Sequence, residues 1–124
     1  MPPVPLIFII AGEASGDLLG ADLMAALKAT QEVRFAGIGG PAMKAQGLDS
    51  LFPMEELSIM GVWGILRNLP HLLGRLRQTV ETIQQIKPDV VITIDAPEFS
   101  FRVLKRLHQL RASQNPLKAC HPEF

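Results

Sequence analysis

Two short apolar runs constrain this chain more than anything else in it: Leu6-Ile7-Phe8-Ile9-Ile10-Ala11 and Val90-Val91-Ile92-Thr93-Ile94. Both are too short for a stable helix and rich in branched residues, which pack well on a pleated sheet. Neither alternates with polar residues, so each reads as a buried strand of the kind found in parallel sheets covered on both faces. Each stops at small or acidic residues, Gly12-Glu13-Ala14-Ser15-Gly16-Asp17 after the first and Asp95-Ala96-Pro97-Glu98-Phe99-Ser100 after the second. A third strand fits Val33 to Ile38. Between the strands the apolar period becomes three to four. Leu18, Leu19, Leu23 and Leu27 predict a helix from Asp17 to Lys28. Ile65, Leu66, Leu69, Leu72, Leu73, Leu76, Val80 and Ile83 predict a longer one from Ile65 to Ile86, starting or kinking near Pro70. A last helix fits Phe99 to Leu110, with Arg102, Lys105, Arg106 and Arg111 on its wet side. Strands alternating with helices imply a parallel sheet with right-handed crossovers and flanking helices, a Rossmann-like α/β fold.

Local punctuation refines this outline. Ser15 or Asp17 is suited to cap the first helix. Gly39-Gly40-Pro41 ends the second strand, Pro41 suits the first turn of a short helix over Ala42 to Gln46, and Gly47 ends that helix. Leu51 to Ser58 reads as a short strand or a loop. Pro116 and Pro122 break the polar stretch from Ala112 to Phe124, which is expected to be loose.

With 124 residues, 48% hydrophobic and 19% charged, the chain suits one globular domain rather than a disordered segment. Twelve basic residues balance twelve acidic ones, which argues against a nucleic-acid module. The balance is uneven along the chain. Residues 1–61 hold seven acids and three bases, residues 62–124 five acids and nine bases. Cys120 is the lone cysteine, so neither an internal disulfide nor a cysteine-based zinc cluster can form. No apolar stretch reaches the roughly 18 residues a bilayer span needs, and no basic region precedes the first apolar run. A cytoplasmic setting is the default expectation.

Ligands of open parallel sheets bind outside the carboxyl ends of the strands. That rule selects three loops: Gly12 to Asp17, Gly37 to Pro41 and Asp95 to Ser100. In the first, Gly12 and Gly16 flank Glu13 and Ser15 before a helix N-terminus. It reads either as an anion-accepting turn or as a tight strand-to-helix turn with Asp17 facing the helix dipole. It has neither the three glycines of a dinucleotide loop nor the lysine of a P-loop. The second, with Gly39 and Gly40, binds a ligand or only turns the chain. In the third, Asp95 ends a strand directly; its carboxylate is either a turn former or a general base offered to a ligand. Asp89, at the opposite end of that strand, reads as structural. His71, His108 and His121 share no metal-binding spacing, and no metal site is expected. The segment Ile59 to Leu73 is dense in large apolar residues and lacks acids. It is either a core-facing helix with an apolar lead-in or an interfacial patch, with Met60, Val62, Trp63, Ile65, Leu66 and Leu69 entering lipid and arginines meeting anionic headgroups.

These residues carry a resemblance. Ala11-Gly12-Glu13-Ala14-Ser15-Gly16-Asp17 followed by Leu18-Leu19-Gly20-Ala21 resembles the N-terminal signature of the lipid-A-disaccharide synthase family. Gly39-Gly40-Pro41-Ala42-Met43, Met54-Glu55-Glu56-Leu57, Ile59-Met60-Gly61 and Ile94-Asp95-Ala96-Pro97-Glu98-Phe99 are similar to further blocks of that family, in the same order, from Leu6 to about His108. The resemblance implies an inverting glycosyltransferase of two-domain GT-B fold. It would move 2,3-diacylglucosamine from UDP-2,3-diacylglucosamine to 2,3-diacylglucosamine 1-phosphate, forming a β-1,6 disaccharide and releasing UDP, with no metal or redox cofactor. It also implies work at the cytoplasmic face of the inner membrane of a Gram-negative bacterium, on an anionic surface. By position, Asp95 would be the general base toward the acceptor hydroxyl and Glu13 a second site carboxylate; the two roles could be exchanged. Gly12, Ser15, Gly16, Gly39 and Gly40 would lie at the substrate.

Two departures stand out. Gly64 replaces a glutamate common in the family, and the family's next block, a His-Tyr-Val-like run, is absent before the chain stops at Phe124. The resemblance therefore implies a partial N-terminal, acceptor-side domain over residues 1–111, a tail over 112–124 that departs from the family, and no C-terminal donor-binding domain. Such a chain is expected to be inactive alone. Two rivals are a sugar-nucleotide epimerase of the same fold class and a stand-alone flavodoxin-like phosphate- or nucleotide-binding module.

Overall fold

The computed structural model describes residues 4–58, 69–95 and 97–114. In chain order the elements are β1 (Leu6–Ile10), α1 (Ala14–Thr30), β2 (Arg34–Ile38), α2 (Pro41–Ala45), α3 (Glu55–Ser58), α4 (Leu69–Ile86), β3 (Val90–Thr93) and α5 (Pro97–Gln114). Among the described residues three strands form one parallel sheet in the order β2-β1-β3. Central β1 is the apolar heart of the molecule. Phe8, Ile9, Ile10 and Ala11 have no exposed surface, and burial of a side chain such as Phe8 or Ile9 contributes roughly 1.5–3 kcal/mol. Met24, Ile38, Met43, Leu48 and Val103 close the core around it. Asp89 has the structural role its position implies. Its carboxylate accepts from the Leu6 N–H at 2.8 Å and its own N–H donates to the Leu6 carbonyl at 2.8 Å, fixing the start of the β1–β3 pair.

The α/β layout agrees with the sequence, and four details do not. First, α1 begins at Ala14, with Glu13 at its N-cap making no side-chain cap bond. Its sheet-facing positions are Gly20, Ala21 and Met24, whereas Leu18 and Leu19 are 62% and 61% exposed. Close approach to α2 goes with this: a Cβ on Gly20 would lie 2.6 Å from Met43 Sδ of α2 and 3.2 Å from Ile94 Cδ1 just after β3. Second, residues 51–58 are neither strand nor plain loop. Ser50 bridges Gly37, the chain bends at Leu51 and Phe52, and α3 follows, burying Phe52, Met54 and Leu57. Third, among the described residues β3 lies at the edge of the sheet, with Val90 48% exposed and Thr93 exposed. Fourth, α5 opens at Pro97, which needs no N–H partner there, and continues to Gln114. The described part of α4 has Pro70 as its second residue, where proline is tolerated.

α3 and α4 are clamped together. Arg75 meets Glu56 in a two-pronged contact, Nε to Oε1 at 3.2 Å and Nη2 to Oε2 at 2.9 Å, and His71 Nε2 also bonds Oε1. The Arg75 guanidinium lies 4.9 Å from the centre of the Phe52 ring, which meets Phe99 edge-on at 6.0 Å. Burial pushes the Glu56 carboxyl up, but the hydrogen bonds and charges of His71 and Arg75 together outweigh it and hold it below its ordinary value. A folded-state value below the unfolded one stabilises the fold above the unfolded value and is lost as pH falls through the folded one. The thermal midpoint should therefore fall on acidification below about 4.3, the ordinary glutamate value. Glu56→Gln should lower the midpoint at neutral pH, by about 1–2 kcal/mol of stability, and flatten that acid limb. Thermal melts of both proteins across pH 3–7 check it; an unchanged acid limb in Glu56→Gln contradicts the role of the clamp.

Candidate functional site

The strand order makes β1 a switch point. The chain leaves β1 for β2 on one side and later returns to β3 on the other. At such a point the loops leaving adjacent carboxyl ends diverge and open a crevice. Here those are the loops after β1 and β3, the first and third selected from the sequence.

They meet at one carboxylate. The Gly12 N–H donates to Asp95 Oδ1, and the Glu13 N–H donates to Oδ2 at 3.1 Å. From behind, the buried Ser100 hydroxyl donates to the Asp95 main-chain oxygen at 3.1 Å. Gly16 completes the seat: a Cβ there would fall 1.9 Å from Oδ2, so only glycine leaves room for the carboxylate. An ionised carboxylate has about four acceptor positions, and the two amides take two of them. Asp95 is thus an oriented, partly exposed acceptor with capacity to spare. Glu13 is adjacent, its backbone bound to Asp95 and its side chain exposed, and Ser15 is exposed one residue further on. The structure brings Gly12, Glu13, Gly16 and Asp95 together. Ser100 was not singled out from the sequence, and its place one helical turn after Asp95 is the signal that could have found it.

The second loop is bonded within the chain. The Gly39 N–H donates to the Ser50 hydroxyl at 3.1 Å. The N–H groups of Gly40, Ala42 and Met43 all donate at 2.9 Å to the carboxylate of Asp17, which is 3% exposed. Asp17 therefore caps α2, not α1, and the amides of both Gly39 and Gly40 are engaged within the chain. The sequence separation of 23 to 26 residues hides this cap from any local capping rule. A helix opened by Gly-Gly-Pro with no capping side chain of its own was the available hint.

Met60, Val62, Trp63, Ile65 and Leu66 lie outside the described residues; Leu69 begins α4, and its side chain is likewise outside them. Among the described residues, no three His, Cys, Asp or Glu side chains could jointly hold a metal ion. No helix among them is long and apolar enough to cross a membrane.

A parallel sheet with a carboxylate seated by a glycine loop at its switch point defines a Rossmann-like α/β protein with a partly exposed acid at the carboxyl end of its sheet. The model of the family described as lipid-A-disaccharide synthetase matches residues 7–121, and the chain belongs to that family. A lipid-A-disaccharide synthase of Rhodospirillum centenum is 55% identical over 109 residues, which cover 86% of this chain and 27% of that protein. One of Pseudomonas paraeruginosa is 51% identical over 104 residues, 83% of this chain and 28% of that protein. The Arabidopsis thaliana protein named "Probable lipid-A-disaccharide synthase, mitochondrial" is 44% identical over 120 residues, 95% of this chain and 26% of that protein. The chain spans a little over a quarter of the length of these relatives.

Proposed function

We propose that this chain is the acceptor-side portion of a glycosyltransferase of lipid A biosynthesis, with Asp95 as its general base. Family membership supports the reaction class, and the seat of Asp95 at the switch point carries the assignment of the base. The acceptor is 2,3-diacylglucosamine 1-phosphate and the donor UDP-2,3-diacylglucosamine. The acceptor 6-hydroxyl oxygen bonds to the donor anomeric carbon as the bond from that carbon to the UDP oxygen breaks. Asp95 takes the hydroxyl proton, UDP leaves with the bonding electron pair, and the anomeric configuration inverts. Glu13, beside Asp95, orients the acceptor sugar. Both substrates are acylated, so the reaction belongs at an anionic membrane surface, the cytoplasmic face of an inner membrane. A stand-alone phosphate-binding module fits less well, because Asp95 already holds the Gly12 and Glu13 amides that a phosphate would use.

The test joins residues 7–121 in place of the matching segment of the Pseudomonas paraeruginosa relative. The joined protein should form the tetra-acylated disaccharide with release of UDP. A folded product that forms none would remove the support for this reading.

A further inference from the structure

Asp95 is held from two directions. In front, the Gly12 and Glu13 amides bond its carboxylate. Behind, Ser100 Oγ donates to its main-chain oxygen at 3.1 Å, and Ser100 is 4% exposed. The rear bond differs from the back-bonds of α4. There the Thr79 and Thr82 hydroxyls donate to the Arg75 and Gln78 carbonyls, each four residues earlier in the same helix, as helical hydroxyls commonly do. Ser100 instead reaches five residues back, past the start of α5 at Pro97, to the residue that carries the carboxylate.

The consequence is geometric. A backbone has two soft angles per residue, so fixing the chain on both sides of a residue fixes the direction in which its Cβ leaves. The bond from the Ile94 N–H to the Ile10 carbonyl at 3.0 Å anchors the chain one residue before Asp95. The Ser100 hydroxyl anchors the carbonyl that follows its Cα. Pro97, with no N–H, has no main-chain donor to offer this turn. The carboxylate so aimed has little room for error, because its two amide partners belong to the loop after β1 and Gly16 packs against Oδ2.

We propose that Ser100 is a positioning residue for the glycosyl transfer, aiming the Asp95 carboxylate through its main-chain oxygen. The inference rests on Asp95 being the general base. Ser100 itself gives and takes no proton in the reaction.

The test compares Ser100→Thr with Ser100→Val in the joined protein described above. The two side chains have nearly the same shape, and only threonine keeps the hydroxyl. The threonine variant should turn over at least about tenfold faster, since misplacing a group by about 1 Å can cost a hundred-fold. The gap should lie in kcat and not in KM, because the hydroxyl is engaged by Asp95 rather than by substrate. Ser100→Ala against the parent makes the same comparison with no added volume, should valine prevent folding. In an Asp95→Asn background the gap should vanish, because the group that takes the proton is gone. Equal kcat for the threonine and valine variants would overturn the proposal even if the valine protein melts lower, since the bond would then be structural only. A gap of the same size in the Asp95→Asn background would overturn it too, because the hydroxyl would be acting through another group. Near-normal turnover of Asp95→Asn removes the base assignment and this proposal with it. A large loss in Asp95→Asn without a threonine–valine gap removes this proposal alone.

Discussion

Asp95→Asn in the joined, full-length protein is expected to lower turnover about a thousand-fold, since positioned general bases contribute roughly 10²–10⁴. That corresponds to about 4 kcal/mol of transition-state stabilisation. Asparagine has nearly the shape of aspartate but keeps one oxygen, so it accepts from only one of the Gly12 and Glu13 amides and turns an NH2 toward the other; a thermal melt of the variant checks that the fold persists. What it lacks is the ability to take the hydroxyl proton. Steady-state kinetics separate the two effects. Glu13→Gln, at an exposed side chain beside the site, should cost about tenfold and fall mainly on KM, because it removes a positioning contact. Turnover within tenfold of normal in Asp95→Asn would sink the base assignment, and the thousand-fold loss appearing in Glu13→Gln would exchange the two roles.

Gly37→Ala is expected to have the largest effect on stability. Gly37 lies in β2 opposite Ile9, with φ at 138°, a conformation that side-chain-bearing residues rarely adopt. A Cβ there would also fall 1.9 Å from the Ile9 carbonyl oxygen. Backbone strain of this type costs about 1–3 kcal/mol and overpacking a further 1–3 kcal/mol. Together they are comparable to a large part of the 5–15 kcal/mol that holds a typical domain folded. The clash is with main chain, which cannot rotate away as a side chain can. We expect a fall of about 10–15 °C in the thermal midpoint or no folded protein at all. Gly74→Ala is the matching control. Gly74 lies in α4 with open space around it, so alanine there should be neutral or stabilising by up to about 1 kcal/mol. A Gly37→Ala melt that overlays the parent would contradict the packing described for β1 and β2.

The strands and helices were legible because hydrophobic periodicity reports local geometry. β1 and β3 were found from runs of five or six residues, and the switch-point rule then led to Gly12, Glu13 and Asp95 with no knowledge of side-chain contacts. Three features were hidden for a physical reason. The exposure of Leu18 and Leu19 was hidden because a period shows that a helix has an apolar stripe, not which of its residues a neighbouring helix covers. The approach of α1 is set by Gly20 against Met43, a tertiary contact. β3 looked buried because its residues are those of an inner strand, and nothing in its own sequence says which strands flank it. Asp17 looked like a local cap because capping rules read neighbours in sequence, while its three donors belong to another helix. The amides of Gly39 and Gly40, in a loop whose sequence suited either a ligand or a turn, are bonded to Ser50 and Asp17.

That long-range cap has a mechanical consequence. A five-residue helix such as α2 is far too short to persist by itself. Its lifetime is set by a carboxylate rooted in the first turn of α1, directly after the loop that seats Asp95. The loop after β1 and the loop after β2 are therefore one rigid piece pinned at Asp17. A displacement of the loop after β1 is carried to α2 by the three Asp17 bonds. Removing the Asp17 carboxylate should therefore loosen both loops together.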